Sequence, residues 1–380
     1  MKTPILKGLA VTLTLFAGES GIAASVQPPE ARPAGPAVLR GSQMFDLTSK
    51  INGATYRLTV ILPEHYTTSS FRYPVLYLMD GDELALLAQY TVPRLSDTAD
   101  ISQLIVVGVG YPGATERGMD YTPAMADPPW PIPANRGADN FLAALTKEIV
   151  PFIDSEFRTQ PTIRGMGGHS LGGLITAYAL FHASGTFNRF WISSASLFWN
   201  HESIFKDESA YVATHSDLDA RVYADVGSDE MPVMRSLPIR LRDVALSRHW
   251  KNLSWTLSIP PGQIHATVPS TVFADALHTL FGNRPNVRVT AVRLRMLSGR
   301  YRLPNGKVLS VTTDGRHLYS TGLTTEGEPD YRARLSAESP DIFYSRAEAV
   351  DLRFGNGALP APEVNLIRWD ENPERATRIR

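Results

Sequence analysis

Gly168-His169-Ser170-Leu171-Gly172-Gly173 is the stretch that decides the fold. It follows residues 163–166, a short segment with strand character, and it opens an apolar run over 174–181 that reads as a helix. A G-x-S-x-G pattern at a strand-to-helix bend holds its serine in a strained backbone conformation, with the hydroxyl raised above the positive end of the helix. Side chains at the two glycine positions would collide with neighbouring backbone, so only glycine packs there. The amide of Leu171 then points to where an oxyanion would form. The rival reading, a glycine-rich turn with an inert serine, leaves the strand on one side and the helix on the other unexplained.

Outward from that bend the pattern is one of alternating strands and helices. On the N-terminal side, Asn52-Gly53 is a hairpin turn signal ahead of the strand 56–62. Two nearly continuous apolar runs, 75–79 and 104–109, suit strands buried on both faces, as in a parallel sheet covered by helices. Phe141, Leu142, Leu145, Ile149, Phe152 and Ile153 repeat at helical spacing, with Asp139 placed to cap the exposed amides. On the C-terminal side, 190–192, 221–226 and 253–257 read as strands and 233–250 and 271–281 as helices. The spacing predicts a doubly wound, mostly parallel α/β domain over residues 42–282. Gly282-Asn283-Arg284-Pro285-Asn286 breaks its last helix. The remainder, 288–380, looks all-β: Leu309, Val311 and Thr313 alternate into an Asp314-Gly315 turn, Tyr331, Ala333 and Leu335 alternate, and so do Val350, Leu352 and Phe354. That length suits a small barrel or sandwich.

A serine hydroxyl is a weak nucleophile near neutral pH and needs a base within reach. In a sheet of this kind the base arrives on a loop after a late strand, in the chain order serine, acid, histidine. His265, just past the strand that ends near Ile259, occupies that place, whereas His169 on the bend itself reads as a packing residue. The acid that orients the imidazole is expected on Gly227-Ser228-Asp229-Glu230, where Glu230 and Asp229 both qualify and Asp225 is a third candidate. A second oxyanion donor is expected from Asp80-Gly81-Asp82-Glu83, with the amide of Asp82 first and that of Gly81 second. Trp130, Trp199 and Tyr111 lie in loops that could line a pocket for an aromatic acyl group, although tryptophan in such loops is as often plain packing.

Composition bounds the alternatives. The 380 residues are 43% hydrophobic and 20% charged, ordinary globular proportions. Lys+Arg 37 against Asp+Glu 38 gives −1, so no global field favours nucleic acid or an anionic membrane. Cysteine is absent, which excludes thiolate nucleophiles, disulfides and Cys-ligated zinc. No phosphate loop, dinucleotide fingerprint or H-E-x-x-H motif occurs, and no cofactor is implied. Lys2 and Lys7 precede an apolar run over 9–17, followed by Gly21-Ile22-Ala23-Ala24. Residues 1–24 therefore read as a secretory signal peptide cleaved after Ala23 or Ala24, too short to span a membrane, with export to a periplasm the expected address and no integral membrane association. Residues 25–41, rich in Pro and Ala, read as an extended segment.

These residues resemble the putative-esterase family of α/β-hydrolases, the siderophore-esterase branch in particular. The resemblance spans roughly 40–282 and rests on the Ser170 bend, Tyr73-Pro74-Val75-Leu76-Tyr77-Leu78-Met79-Asp80-Gly81, Arg117-Gly118-Met119-Asp120-Tyr121-Thr122-Pro123 and Glu148-Ile149-Val150-Pro151-Phe152-Ile153. It implies an α/β-hydrolase fold and a serine esterase acting through an acyl-enzyme on a small-molecule ester, a catecholate siderophore first, with feruloyl or acetyl-sugar esters or acyl transfer as alternatives. A degenerate, non-enzymatic binding protein is a rival of another class. The family's acid-bearing turn favours Glu230, although some members of the branch rely on a Ser–His pair alone. Arg136-Gly137-Ala138 departs from the paired glycines common in the family, an expected change in the substrate-side loop. The tail, opening at Leu297-Ser298-Gly299-Arg300-Tyr301, loosely resembles small β domains appended to secreted serine hydrolases. Its Arg293, Arg295, Arg300 and Arg302 read either as an anion-binding face or, preferably, as a solvated strand surface.

Overall fold

Along the strand Tyr73–Met79 every residue is buried, and alternate side chains go to opposite cores. Val75, Tyr77 and Met79 join one, Leu76 and Leu78 the other. A strand apolar at every position has two faces to cover, and helices on both sides cover them. The computed structural model describes residues 41–379 except 64–65, 68–69, 98–99, 283–286, 324–331, 346–349, 356–359 and 369–372. The signal-peptide reading, almost all of the 25–41 segment, Tyr331 and most of the break at 282–286 lie outside the described residues. Among those described, no helix is long and apolar enough to cross a membrane.

The first sheet is formed by β1 (Ser42–Thr48), β2 (Thr55–Ile61), β3 (Tyr73–Met79), β4 (Ile105–Gly110), β5 (Thr159–His169), β6 (Arg189–Ser193), β7 (Ala220–Asp225) and β8 (Leu253–Ser258). Their spatial order is β1-β2-β4-β3-β5-β6-β7-β8. β1–β2 and β2–β4 are antiparallel and the other pairs parallel, the doubly wound, mostly parallel sheet that the sequence predicts. Gly53, at φ +75°, turns the β1–β2 hairpin.

The helical run after residue 137 is not continuous. It passes from α (Ala138–Ala144) through a π segment (Leu145–Ile149) to α again (Val150–Glu156). Pro151 lacks the N–H that an unbroken α ladder would need, and the wider π turn lies just ahead of it. Asp139 does not cap this helix, since Gly137 at φ +102° holds the N-cap position and Asp139 instead accepts the Tyr178 hydroxyl at 2.6 Å.

The C-terminal region is an eight-stranded antiparallel closed barrel, ordered β10-β11-β12-β13-β14-β15-β16-β9. Its strands are β9 (Gly299–Arg302), β10 (Val308–Thr313), β11 (Leu318–Thr321), β12 (Ala333–Ala337), β13 (Ile342–Ser345), β14 (Val350–Phe354), β15 (Glu363–Arg368) and β16 (Glu374–Ile379). Leu309, Val311, Leu335, Phe343, Leu352 and Leu366 fill its core. The all-β reading of the tail missed one element, the helix Ala291–Leu297, capped by the Thr290 hydroxyl, which accepts from Arg293 N at 3.3 Å, and packed on the barrel core through Leu294 and Leu297. This helix divides the arginine cluster. Arg293 lies on it, paired with Asp341, and Arg295 shares it, while Arg300 and Arg302 are on β9.

Candidate active site

Ser170 stands at the end of β5, in the middle of the first sheet, with φ +61° and ψ −115°. A non-glycine residue rarely tolerates that region, and the surroundings hold it there. Its amide donates to Ser193 O at 3.0 Å, and its carbonyl accepts from Leu174 N at 2.9 Å and Ser196 N at 3.1 Å. The glycines enforce the bend. A Cβ on Gly168 would lie 2.5 Å from the backbone of Gly172, and one on Gly172 would lie 2.8 Å from the Asp80 carboxylate. A Cβ on Gly173 would come within 2.6 Å of Ser193 O. Leu171 is the first residue of the helix Leu171–His182, whose opening amides have no partner within the helix.

The loops after β7 and β8 meet back to back. A Cβ on Gly227 would sit 2.2 Å from Gln263 O, so glycine alone allows that approach. Ser228 N donates to Pro260 O at 3.2 Å, Asp229 N to Gln263 O at 3.0 Å, and Gly262 N to Ser228 Oγ at 2.8 Å. Through this zipper the acid loop carries the histidine loop. Glu230 Oε2 lies 2.9 Å from His265 Nδ1, while its Oε1 accepts from Gly227 N at 2.8 Å and from the Ser194 hydroxyl. Burial pushes the Glu230 carboxyl pKa up, but the bonds from Ser194, Gly227 and His265 outweigh it and hold the group below the usual carboxylate range. A carboxylate only accepts, so His265 Nδ1 donates to Glu230 and Nε2 is the ring nitrogen left for another partner. Ser170 and His265 line one cavity of about 400 Å³, and no hydrogen bond joins them in this structure. Such bonds are often long until substrate binds.

The other two acid candidates make no bond to His265, although Asp229 borders the same cavity. Asp229 is exposed and accepts from Ser228 Oγ at 2.7 Å. Asp225 is fully buried, accepting from Trp191 Nε1 at 2.8 Å and Ser193 Oγ at 2.7 Å, and burial pushes its pKa up to about 7. His169 does more than pack. Its ring lies 4.3 Å from that of His265, and its Nδ1 is 3.4 Å from Ser193 Oγ. Burial, and secondarily the nearby His265, lower its pKa to about 4, which leaves a neutral ring beside that of His265.

Asp82 is the second residue of the helix Gly81–Asp97 and borders a neighbouring cavity that also touches His169. The turn into that helix is tight. Asp80 has φ +54°, and a Cβ on Gly81 would meet Gly108 backbone at 2.3 Å. Arg117, not singled out by its chemistry in the sequence, fixes this turn. It contacts the Asp80 carboxylate at 2.8 and 3.0 Å and donates to His169 O at 3.0 Å, tying the β3 turn to the serine bend. Burial raises the Asp80 pKa to about 6 against the pull of Arg117. The signal that could have found Arg117 was the 117–123 motif, quoted above only as a likeness.

The aromatic residues weighed for the substrate side are engaged in the scaffold. Trp130 and Trp199 pack against each other, tilted, with ring centroids 5.2 Å apart, and donate to Gly118 O and Pro123 O at 2.7 and 2.9 Å, bracing the 117–123 loop and not lining the Ser170 cavity. The Tyr111 hydroxyl donates to buried Asp120 at 2.8 Å. Arg136 likewise serves the scaffold, paired with Asp120 at 2.5 Å and Glu116 at 2.7 Å. Among the described residues, no group of three or more His, Asp or Glu side chains is arranged to hold a metal ion.

Comparison with known proteins agrees with this architecture. A siderophore triacetylfusarinine C esterase of Aspergillus fumigatus is 30% identical over 190 residues, covering 47% of this chain and 64% of that protein. The chain thus spans just under two thirds of that relative's length. Among solved structures, the BES protein from Bacillus cereus superposes with a TM-score of 0.59 at 25% identity, covering 66% of this chain and 99% of that one. Siderophore hydrolase EstB from Aspergillus nidulans superposes with a TM-score of 0.57 at 23% identity, covering 67% and 99%, and shares the α/β-hydrolase fold. The family model described as "Putative esterase" matches residues 49–265, the stretch that carries the serine bend, the acid loop and the histidine. The chain belongs to the putative esterase family of α/β-hydrolases.

Proposed function

We propose that the protein is an exported serine esterase that hydrolyses carboxylic esters through an acyl-enzyme. The observation that carries this reading is the Glu230–His265 pair at 2.9 Å opening onto the same cavity as the strained Ser170. Ser170 Oγ attacks the ester carbonyl carbon while His265 Nε2 takes its proton. Glu230 keeps Nδ1–H in place and stabilises the imidazolium that forms. The amides of Leu171 and Asp82 receive the developing oxyanion, each such donor being worth about 3 kcal/mol of transition-state stabilisation. Collapse of the tetrahedral adduct breaks the C–O bond, and His265 returns the proton to the departing alcohol. Water, deprotonated by His265, then attacks the acyl-enzyme, releases the acid and restores Ser170.

The substrate we assign is a siderophore ester, on the strength of the Aspergillus relative's named activity. Export rests on the charged and apolar pattern of residues 1–24. Labelling with a fluorophosphonate tests the nucleophile. The wild type should take up one equivalent and Ser170→Ala none; an unlabelled wild type would remove the serine mechanism. Hydrolysis of simple p-nitrophenyl esters with no turnover of any siderophore ester would overturn the substrate and leave the mechanism.

A further inference from the structure

Three of the protein's large exposed apolar side chains gather at one mouth. Phe198, Met231 and Ile264 are 45%, 64% and 50% exposed, and all three line the cavity that holds Ser170 and His265. Met234, from the helix Pro232–Ser247, is buried and joins the same lining. The placement follows from the chain. Met231 comes directly after Glu230 and Ile264 directly before His265, so the two loops that deliver the charged pair also deliver an apolar wall beside it. Phe198 arrives from the turn after β6. Apolar surface left in water is unfavourable unless something covers it, and a cavity of about 400 Å³ is of ligand size. Methionines make such a wall adaptable to different shapes.

Continuity with the serine and histidine fixes the occupant. Resting on the esterase reading above, we infer that this wall receives a bulky apolar group, aliphatic or aryl, attached directly to one half of the scissile ester, and that Phe198, Met231 and Ile264 set the preference for it. The group belongs either to the acyl half or to the alcohol half, and the same wall would serve both chemistries. Small acetyl esters of polar alcohols leave the wall wet and gain nothing from it.

Two ester series distinguish the halves. In one, p-nitrophenyl acetate, butyrate, hexanoate and octanoate vary the acyl chain; in the other, methyl, butyl and octyl acetate vary the alcohol, with acid release followed by titration. For the wild-type chain, kcat/KM should climb by up to about fourfold per buried methylene in one series. The ratio of the longest to the shortest ester should fall at least tenfold in Phe198→Ser and in Ile264→Ser. Met44→Ser, which removes an exposed methionine on β1, should keep the ratio. A flat or falling trend in both series, with acetates still turned over, would overturn this inference and leave the esterase standing. So would a ratio unmoved in the two cavity variants. Absence of turnover on every ester, with no fluorophosphonate label, removes the esterase reading and this inference with it.

Discussion

One chain covers its two sheets in opposite ways. The N-terminal sheet stays open and buries its faces under helices, which leaves a crevice at the carboxyl ends of its parallel strands. The C-terminal sheet rolls up and buries one face inside itself. Backbone strain follows the same division. Among the described residues, the non-glycine positions with positive φ are Asp80, Ser170, Ser194, Asn200, His201, Glu202 and His249, all in the open-sheet region. Among the described residues of the barrel, positive φ falls on Gly306, Gly315 and Gly322, where it costs little. Asp80, Ser170 and Ser194 each follow a parallel strand of the open sheet, β3, β5 and β6, so three of the seven strained positions gather where those strands end.

The comparison can be broken most decisively at its strained end. Ser170→Ala or His265→Ala should lower kcat by about 10⁶-fold with the melting transition preserved, as measured on a p-nitrophenyl ester. A merely tenfold loss would mean that the strained turn is not where the reaction occurs. Glu230→Gln keeps the shape and removes the charge, and should cost about 10⁴-fold in kcat, whereas Asp229→Asn should change it less than twofold. Equal effects would reopen the choice of Glu230 over Asp229 as the acid. Arg117→Met, which frees the Asp80 turn from the serine bend, should cost roughly 10²-fold in kcat through misplacement of the oxyanion donors, with less effect on KM.

At the unstrained end the expectation reverses. Phe343→Ala in the barrel core should cost about 3–5 kcal/mol in that region's unfolding, read by denaturant melts, while folded protein keeps its kcat. Loss of activity in folded protein would show that the two regions are coupled. The smallest effect concerns pH. Asp225 is held in the fold with its pKa raised to about 7, so the folded state binds that proton more tightly than the unfolded chain. Its contribution to stability is therefore present in acid and is lost as pH rises from about 4 to 7. Asp225→Asn should flatten the melting temperature across that window.

Much of the open sheet was legible because its signals are local. Gly168 and Gly172 bracket Ser170 within five residues, β3 and β4 are apolar at nearly every position, and His265 lies on the loop that follows its strand. What stayed hidden depends on contacts between distant segments. Glu230 and Asp229 are neighbours in sequence, and only the packing of residues 227–230 against 260–265 turns one inward and the other to water. The apolar wall draws on residues 198, 231, 234 and 264, a set with no spacing to reveal it. Arg117 acts across 37 and 52 positions of chain, on Asp80 and His169. In the tail, alternation showed strands but could not show that they close, and the helix Ala291–Leu297 was too short and too rich in arginine to announce itself.

Closure of the barrel carries a consequence for how it is made. The stave at Glu374–Ile379 hydrogen-bonds to the one at Gly299–Arg302, so the ring shuts only when segments more than seventy positions apart find each other. Until then β9 and β16 each present an unpaired ladder to whatever strand is nearby. Assembly of this region should be slow and vulnerable to intermolecular pairing, and, once shut, it offers other chains nothing to add to.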